Sequence, residues 1–166
     1  MSRKGFSFER KVCKELSAWF KDRNSLWRGP ASGGWSSKNK SNQVGDIIAM
    51  KPEAEILTKS IIWEIKRGYS NQDVLSKILS DNSKIIDFLF KLESLKPDFN
   101  KKYCILIYKA DYRQTLVFVP EELAKRVKVE KRLILQHPSL KDRYHILVWE
   151  EFLSTDPSDF LSFLST

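Results

Sequence analysis

Two short apolar runs, separated by a polar stretch, constrain this chain more than anything else in it. The first reads Gly45-Asp46-Ile47-Ile48-Ala49-Met50 and the second Ile61-Ile62-Trp63-Glu64-Ile65-Lys66-Arg67. Each has the length of a β-strand and carries charge inside an apolar frame. A strand alternates faces with a period of two, so Glu64 and Lys66 share one face while Trp63 and Ile65 share the other. A carboxylate and an ammonium on a hydrophobic strand cost free energy unless they are paired or used. Pairing the two runs as a hairpin, with residues 51–60 as its turn from Lys51-Pro52 onward, admits a register that brings Asp46 beside Glu64. Two carboxylates, a backbone carbonyl and waters make an all-oxygen site suited to Mg²⁺ or Mn²⁺. A lysine beside it can orient a water or neutralise a phosphate oxygen, which completes the equipment for metal-assisted phosphodiester hydrolysis. An ion pair on an exposed edge strand has the same Glu-x-Lys spacing, so the remainder of the chain has to separate the two readings.

With 166 residues, 42% hydrophobic and 12% aromatic, the chain suits a single domain spanning 1–166 around one sizeable core. No apolar run approaches the ~20 residues of a membrane span. Met1-Ser2-Arg3-Lys4-Gly5 is basic but is followed by no apolar stretch, so no signal peptide is read, and the expected setting is the cytoplasm, with DNA, not secretion. Cys13 and Cys104 sit in apolar patterns and read as reduced core thiols. With His137 and His145 they are too scattered for a zinc site, and both histidines read as structural or surface residues. The net charge of +8 is unevenly spread: residues 1–45 hold ten Lys/Arg against three Asp/Glu. A basic first quarter beside a candidate acidic metal site points to a polyanionic substrate.

Residues 7–21 read as a helix with Ser7 as N-cap and an apolar stripe of Phe8, Val12, Leu16, Trp19 and Phe20. Glu9 lies toward that stripe, and Arg10, Lys11 and Lys14 lie on the more polar side. An acid in the first helical turn is favourable dipole chemistry; the functional reading takes Glu9 to the edge of the metal site. Residues 25–30 read as a short strand ending at Pro30. The segment 31–42, rich in Gly, Ser, Asn and Lys, reads as a loop in which Trp35, Lys38 and Lys40 can stack on an exposed base and hold phosphates. Residues 71–95 read as helical, with a break at Ser80–Ser83 and a stop at Lys96-Pro97-Asp98. Residues 103–109 are apolar enough for a central strand, with 115–119 as partner. Pro120 starts a short helix, 145–149 make another strand, and 150–164 end in helix. The apolar C-terminal residues fit a core or a dimer face, and core is the simpler use.

This order, helix with Glu9, strand with Arg28, loop, strand with Asp46, strand with Glu64-Ile65-Lys66, helix, strand, resembles the PD-(D/E)XK nuclease superfamily. Within it the sequence looks most like Holliday-junction resolvases of the archaeal type and their phage-encoded relatives. The resemblance is carried by Arg3-Lys4-Gly5, Phe8-Glu9-Arg10, Arg28-x-Pro30-x-Ser32-Gly33, Gly45-Asp46-Ile47-Ile48-Ala49 and Glu64-Ile65-Lys66. It covers roughly residues 3–67 and a helix–strand pattern to about 109; the C-terminal elaboration, about 110–166, matches no pattern. It implies a restriction-endonuclease-like α/β fold, a central mixed sheet flanked by helices with an αβββαβ core. Asp46, Glu64 and the Ile65 carbonyl would ligate Mg²⁺, replaceable by Mn²⁺, with Glu9 supporting through a water and Lys66 activating the attacking water. Arg10 and Arg28 would contact phosphates and Ser32 would lie near the reacting strand; Arg3, Lys4 and Arg67 complete the expected DNA-binding set. The implied protein is a homodimer that nicks opposed strands of four-way junctions and needs no small-molecule cofactor. Two alternatives stay open: a nuclease of the same fold acting on other DNA in restriction, nicking or repair, and a non-catalytic DNA-binding module. Val44-Gly45 stands where the name motif has proline.

Overall fold

The computed structural model describes residues 3–29, 44–68, 74–80 and 83–166. The chain opens with a helix, α1 (Arg3–Trp19), followed by two short strands, β1 (Leu26–Arg28) and β2 (Ile47–Ala49). A 3-10 turn (Pro52–Ala54) and a short helix, α2 (Glu55–Lys59), lead into β3 (Ile61–Arg67). Two helices, α3 (Val74–Ile78) and α4 (Lys84–Asp98), precede β4 (Tyr103–Lys109) and β5 (Thr115–Pro120). Then come α5 (Glu121–Ala124), β6 (Leu133–Leu135), β7 (Tyr144–Val148), α6 (Trp149–Leu153) and α7 (Ser158–Leu164).

Five strands form one mixed sheet in the order β3-β4-β5-β7-β6, with β3 and β4 parallel and the remaining neighbours antiparallel. The parallel pair needs a crossover, and α3 and α4 supply it. Alternation then sorts the side chains. Ile61, Trp63 and Ile65 of β3, with Tyr103, Ile105 and Ile107 of β4, join the α1 stripe of Phe8, Val12, Leu16 and Trp19 on one face. Ile62, Cys104, Leu106 and Tyr108 meet Ile85, Ile86, Leu89 and Leu92 of α4 on the other. This arrangement of helices on both faces of a mixed sheet is the restriction-endonuclease-like fold. The C-terminal aromatics are core: Trp149, Phe152 and Phe160 are buried, with Phe152 stacked on Trp149 at 5.4 Å between ring centroids.

Three local readings need correction. The runs at 45–50 and 61–67 are not a hairpin. β2 pairs antiparallel with β1, Leu26 opposite Ala49 and Arg28 opposite Ile47, as a separate two-stranded sheet. Residues 51–60 are helical because Pro52 presets a first turn with Glu53 and Glu55 in it, and Leu57 is buried beneath. Helix α1 starts at Arg3, so Ser7 is inside it and not its cap. The earlier start places Phe6 four residues from Arg10, on the same side of the helix. Residue 149 starts α6 where a strand was expected, and the short edge strand β6 had no alternating pattern to announce it. Two helices do replace 71–95, divided near Ser83, which caps α4 by accepting from the Ile86 amide at 3.3 Å.

Candidate active site on the β3 edge

Strand β3 is the edge of the five-stranded sheet, so the main-chain groups of every second residue face away from β4. Asp46 meets that row. Its amide donates to the Trp63 carbonyl at 2.7 Å, and its Oδ2 accepts from the Ile65 amide at 2.7 Å. A residue's N–H and C=O point to the same side of a strand, so the Ile65 carbonyl also faces this edge, beside the Asp46 carboxylate. The approach is possible because residue 45 is glycine. Its φ is +94°, and a Cβ there would lie 2.6 Å from the Trp63 carbonyl oxygen. Proline, locked near −65°, cannot take that conformation, which explains why the chain departs from the name motif at this position. Gly29 makes a second close approach. Its amide donates to the Asp46 carbonyl at 2.8 Å, and a Cβ on it would lie 2.9 Å from the Gly45 oxygen. The Arg28-Gly29 dipeptide was the available signal for this contact.

Glu64 and Lys66 leave β3 on the α4 face, and the Lys66 ammonium donates to Glu64 Oε1. Lys66 Nζ also lies 5.4 Å from the centre of the Phe88 ring. Asp46 is 2% exposed. Burial first, then the Glu64 charge, push its carboxyl up to about 7; the Ile65 amide and Lys66 oppose the rise, and Glu9 adds a little to it. Glu9, 5% exposed, has one oxygen engaged: its Oε2 accepts from Arg28 Nε at 2.7 Å. Cys13 is buried between these groups, and burial with the Glu9 and Asp46 charges lifts its thiol to about 12.

Arg10 and Arg28 converge on one ring, their guanidinium carbons 4.3 and 4.1 Å from the centre of Phe6. Arg10 also faces Trp27 at 5.8 Å, and Arg67 faces Phe8 at 5.7 Å. Asp46, Glu64, Lys66, Glu9, Arg28, Arg10 and Arg67 thus gather around the β3 edge and the first turns of α1. Arg3 and Lys4 start α1, but their side chains, like Ser32, Trp35, Lys38 and Lys40, lie outside the described residues. A cavity of about 820 Å³ lined by Tyr103, Glu122, His137 and Arg143 is remote from this edge and contains none of these residues.

The fit of this edge to a divalent cation can be tested on its donors. Among the described residues no three His, Cys, Asp or Glu side chains form a metal-holding group. The oxygen set is two carboxylates and one carbonyl, which leaves coordination to water and substrate, as Mg²⁺ prefers. The mutual repulsion of Asp46 and Glu64, left uncancelled by Lys66, is the charge that a dication relieves. The residues fit a hard cation held by few protein ligands.

An α/β sheet with helices on both faces, Glu and Lys on its edge strand and an Asp fastened beside them is the pattern of the PD-(D/E)XK class of nuclease. A scan against models of known families matches residues 1–162 to the family described as "Phage putative PDDEXK endonuclease", and the chain belongs to that family. Nucleases of this kind act on DNA and are generally dependent on a divalent metal. Searches of curated proteins and of solved structures gave no significant match. No described helix is long and apolar enough to cross a membrane.

Proposed function

We propose that this protein is a Mg²⁺-dependent, structure-selective DNA endonuclease that nicks opposed strands of four-way junctions, a Holliday-junction resolvase acting as a homodimer of single domains spanning 1–166. The observation that carries the catalytic part is the Asp46 carboxylate fastened to the β3 edge, where Glu64 and Lys66 share the adjoining face. Asp46, Glu64 and the Ile65 carbonyl would hold the cation, with Glu9 reaching it through water. When bound, the cation would supply Lewis-acid polarisation of the phosphate and hydroxide near neutral pH. Lys66 holds and orients the attacking water from the α4 side, its head group already fixed by Glu64 and Phe88. Arg10 and Arg28, braced on Phe6, bind phosphates beside the cut, and Arg28 holds the Glu9 carboxylate in place. Arg3, Lys4, Ser32, Trp35, Lys38, Lys40 and Arg67 extend the DNA contact. The preference for branched DNA is supported by the resemblance of the α1-to-β3 segment to junction resolvases.

The test is strand cleavage of a synthetic four-way junction with Mg²⁺, run beside linear duplex, flap and single-stranded DNA. Paired symmetric nicks on the junction alone support a dimeric resolvase. Equal cutting of flaps or linear duplex would move the function to a nuclease for other DNA. Binding without any cutting would favour a DNA-binding module.

A further inference from the structure

We propose that Trp27 is a specificity-determining residue of the site: its indole stacks on a base lifted out of the duplex at a branch point, while Arg10 binds the phosphate next to that base. The inference rests on the nuclease reading above and adds to it what the DNA must offer.

The two-stranded sheet places the indole. Leu26 lies opposite Ala49 and Arg28 opposite Ile47, so these four share one face, while Trp27 and Ile48 oppose each other on the second face. Leu26 and Ile47 are buried in the core shared with α1, and Ala49 packs against it. Trp27 and Ile48 are only partly buried and join neither core cluster. From Trp27 a series of rings and cations leads to the candidate site. The Arg10 guanidinium carbon is 5.8 Å from the Trp27 ring centre and 4.3 Å from that of Phe6. Arg28 lies 4.1 Å from the centre of Phe6 and donates from Nε to Glu9 Oε2 at 2.7 Å. The two arginines differ in what holds them. Arg28 is tied to an acid, whereas the exposed Arg10 rests on the two rings, and among the described residues no carboxylate pairs with it.

A guanidinium stacked on rings keeps its in-plane N–H groups for a bidentate grip on phosphate. An indole beside it supplies the complementary half of a nucleotide site, because every base has a face that stacks on an aromatic ring. An apolar face alone would suit many partners; the guanidinium without an acid beside it selects a polyanion. In an intact duplex both faces of an internal base are covered by its neighbours. Exposing one costs free energy, and least where pairing is already broken. The indole therefore acts on branched or frayed DNA and is idle on linear duplex. Its role is binding and selection, and no bond changes at Trp27.

Trp27→Leu keeps apolar contact with Ile48 and removes the ring; Trp27→Phe keeps a ring. Binding of wild type, both variants and Arg10→Gln to a fluorescently labelled synthetic four-way junction, and to linear duplex of the same length, is measured in EDTA across a salt series. We expect Trp27→Leu to weaken junction binding about 5- to 100-fold, with duplex binding and the slope of log K against log salt at their wild-type values, and Trp27→Phe to restore most of the loss. Arg10→Gln should weaken binding to both DNAs and make the slope shallower by about 0.9. A wild-type ratio of junction to duplex affinity in Trp27→Leu would overturn the inference. Wild-type protein gives a second readout that needs no variant. Iodouracil placed at the branch point and irradiated in the complex should crosslink to Trp27; crosslinks mapping only to other residues would overturn the stacking. Cleavage with Mg²⁺ keeps the two levels distinct. If wild type cuts and Glu64→Ala does not, while Trp27→Leu keeps the wild-type ratio, only the Trp27 assignment falls. If wild type cuts nothing but junction binding still depends on Trp27, the nuclease reading falls and Trp27 stands as a base contact.

Discussion

Replacing Asp46 with Asn should make the metal-free protein more stable at pH 8, although it removes a residue central to the site. The sign follows from the direction of the shift. The Asp46 carboxyl is raised from 3.8 to about 7, so the folded state holds its proton more tightly than the unfolded chain does. The stability linked to that proton is fully present below about pH 4 and is lost as the pH climbs through 7. At ~1.36 kcal/mol per unit, the whole shift corresponds to ~4 kcal/mol, and sharing of the charge with Glu64 lowers the part felt by Asp46 to roughly 2–4 kcal/mol. Asparagine is neutral throughout this range, and its Oδ1 can still accept from the Ile65 amide. In EDTA at pH 8, Asp46→Asn should melt roughly 5–15 °C above wild type, given ~2–4 °C per kcal/mol for a chain of this size. Near pH 4 the two should converge. Excess Mg²⁺ should then raise the wild-type melting temperature, by ~2.7 kcal/mol of linkage at a hundredfold excess over Kd, and leave Asp46→Asn unmoved. Thermal melts at the two pH values, with and without Mg²⁺, decide it. An Asp46→Asn variant no more stable than wild type at pH 8 would refute the reasoning about uncompensated charge.

Gly45→Ala should cost about 3 kcal/mol or more in urea melts, because alanine is strained at φ +94° and its methyl meets the Trp63 carbonyl. Its cleavage should fall further than its stability, since Asp46 is displaced from β3. Arg28→Ala leaves the buried Glu9 carboxylate without its partner and should lose ~3–5 kcal/mol by the same assay, with Arg28→Ala/Glu9→Gln recovering part of the loss. Cys13 and Cys104 are buried, and burial pushes both thiols to about 12, so a thiol reagent at pH 8 should label neither until the protein is unfolded.

The strongest sequence signals were those that report burial directly. Residues 103–109 are apolar on both faces and form the interior strand β4, and the apolar run that opens 61–67 forms the edge strand β3 paired parallel to it. Alternation also put Glu64 and Lys66 on one face, where they form an ion pair. What alternation cannot name is the partner of a three-residue strand. β2 pairs with β1, and Asp46 reaches β3 through one main-chain and one side-chain hydrogen bond, not through a ladder. The Arg28–Glu9 pair joins residues 19 apart in sequence, and helical periodicity could only say that Glu9 faced inward. The edge strand β6 was invisible because Leu133 and Ile134 are both exposed, which erases the period.

The most direct test of the catalytic centre is the cutting of four-way junction DNA by wild type and Glu64→Ala in Mg²⁺, with binding of both measured in EDTA. We expect wild type to cut, and Glu64→Ala to bind comparably while cutting slower by roughly 10³ or more, the several kcal/mol that the cation supplies. Cutting by Glu64→Ala at the wild-type rate would contradict a metal-assisted site built on Asp46, Glu64 and Lys66.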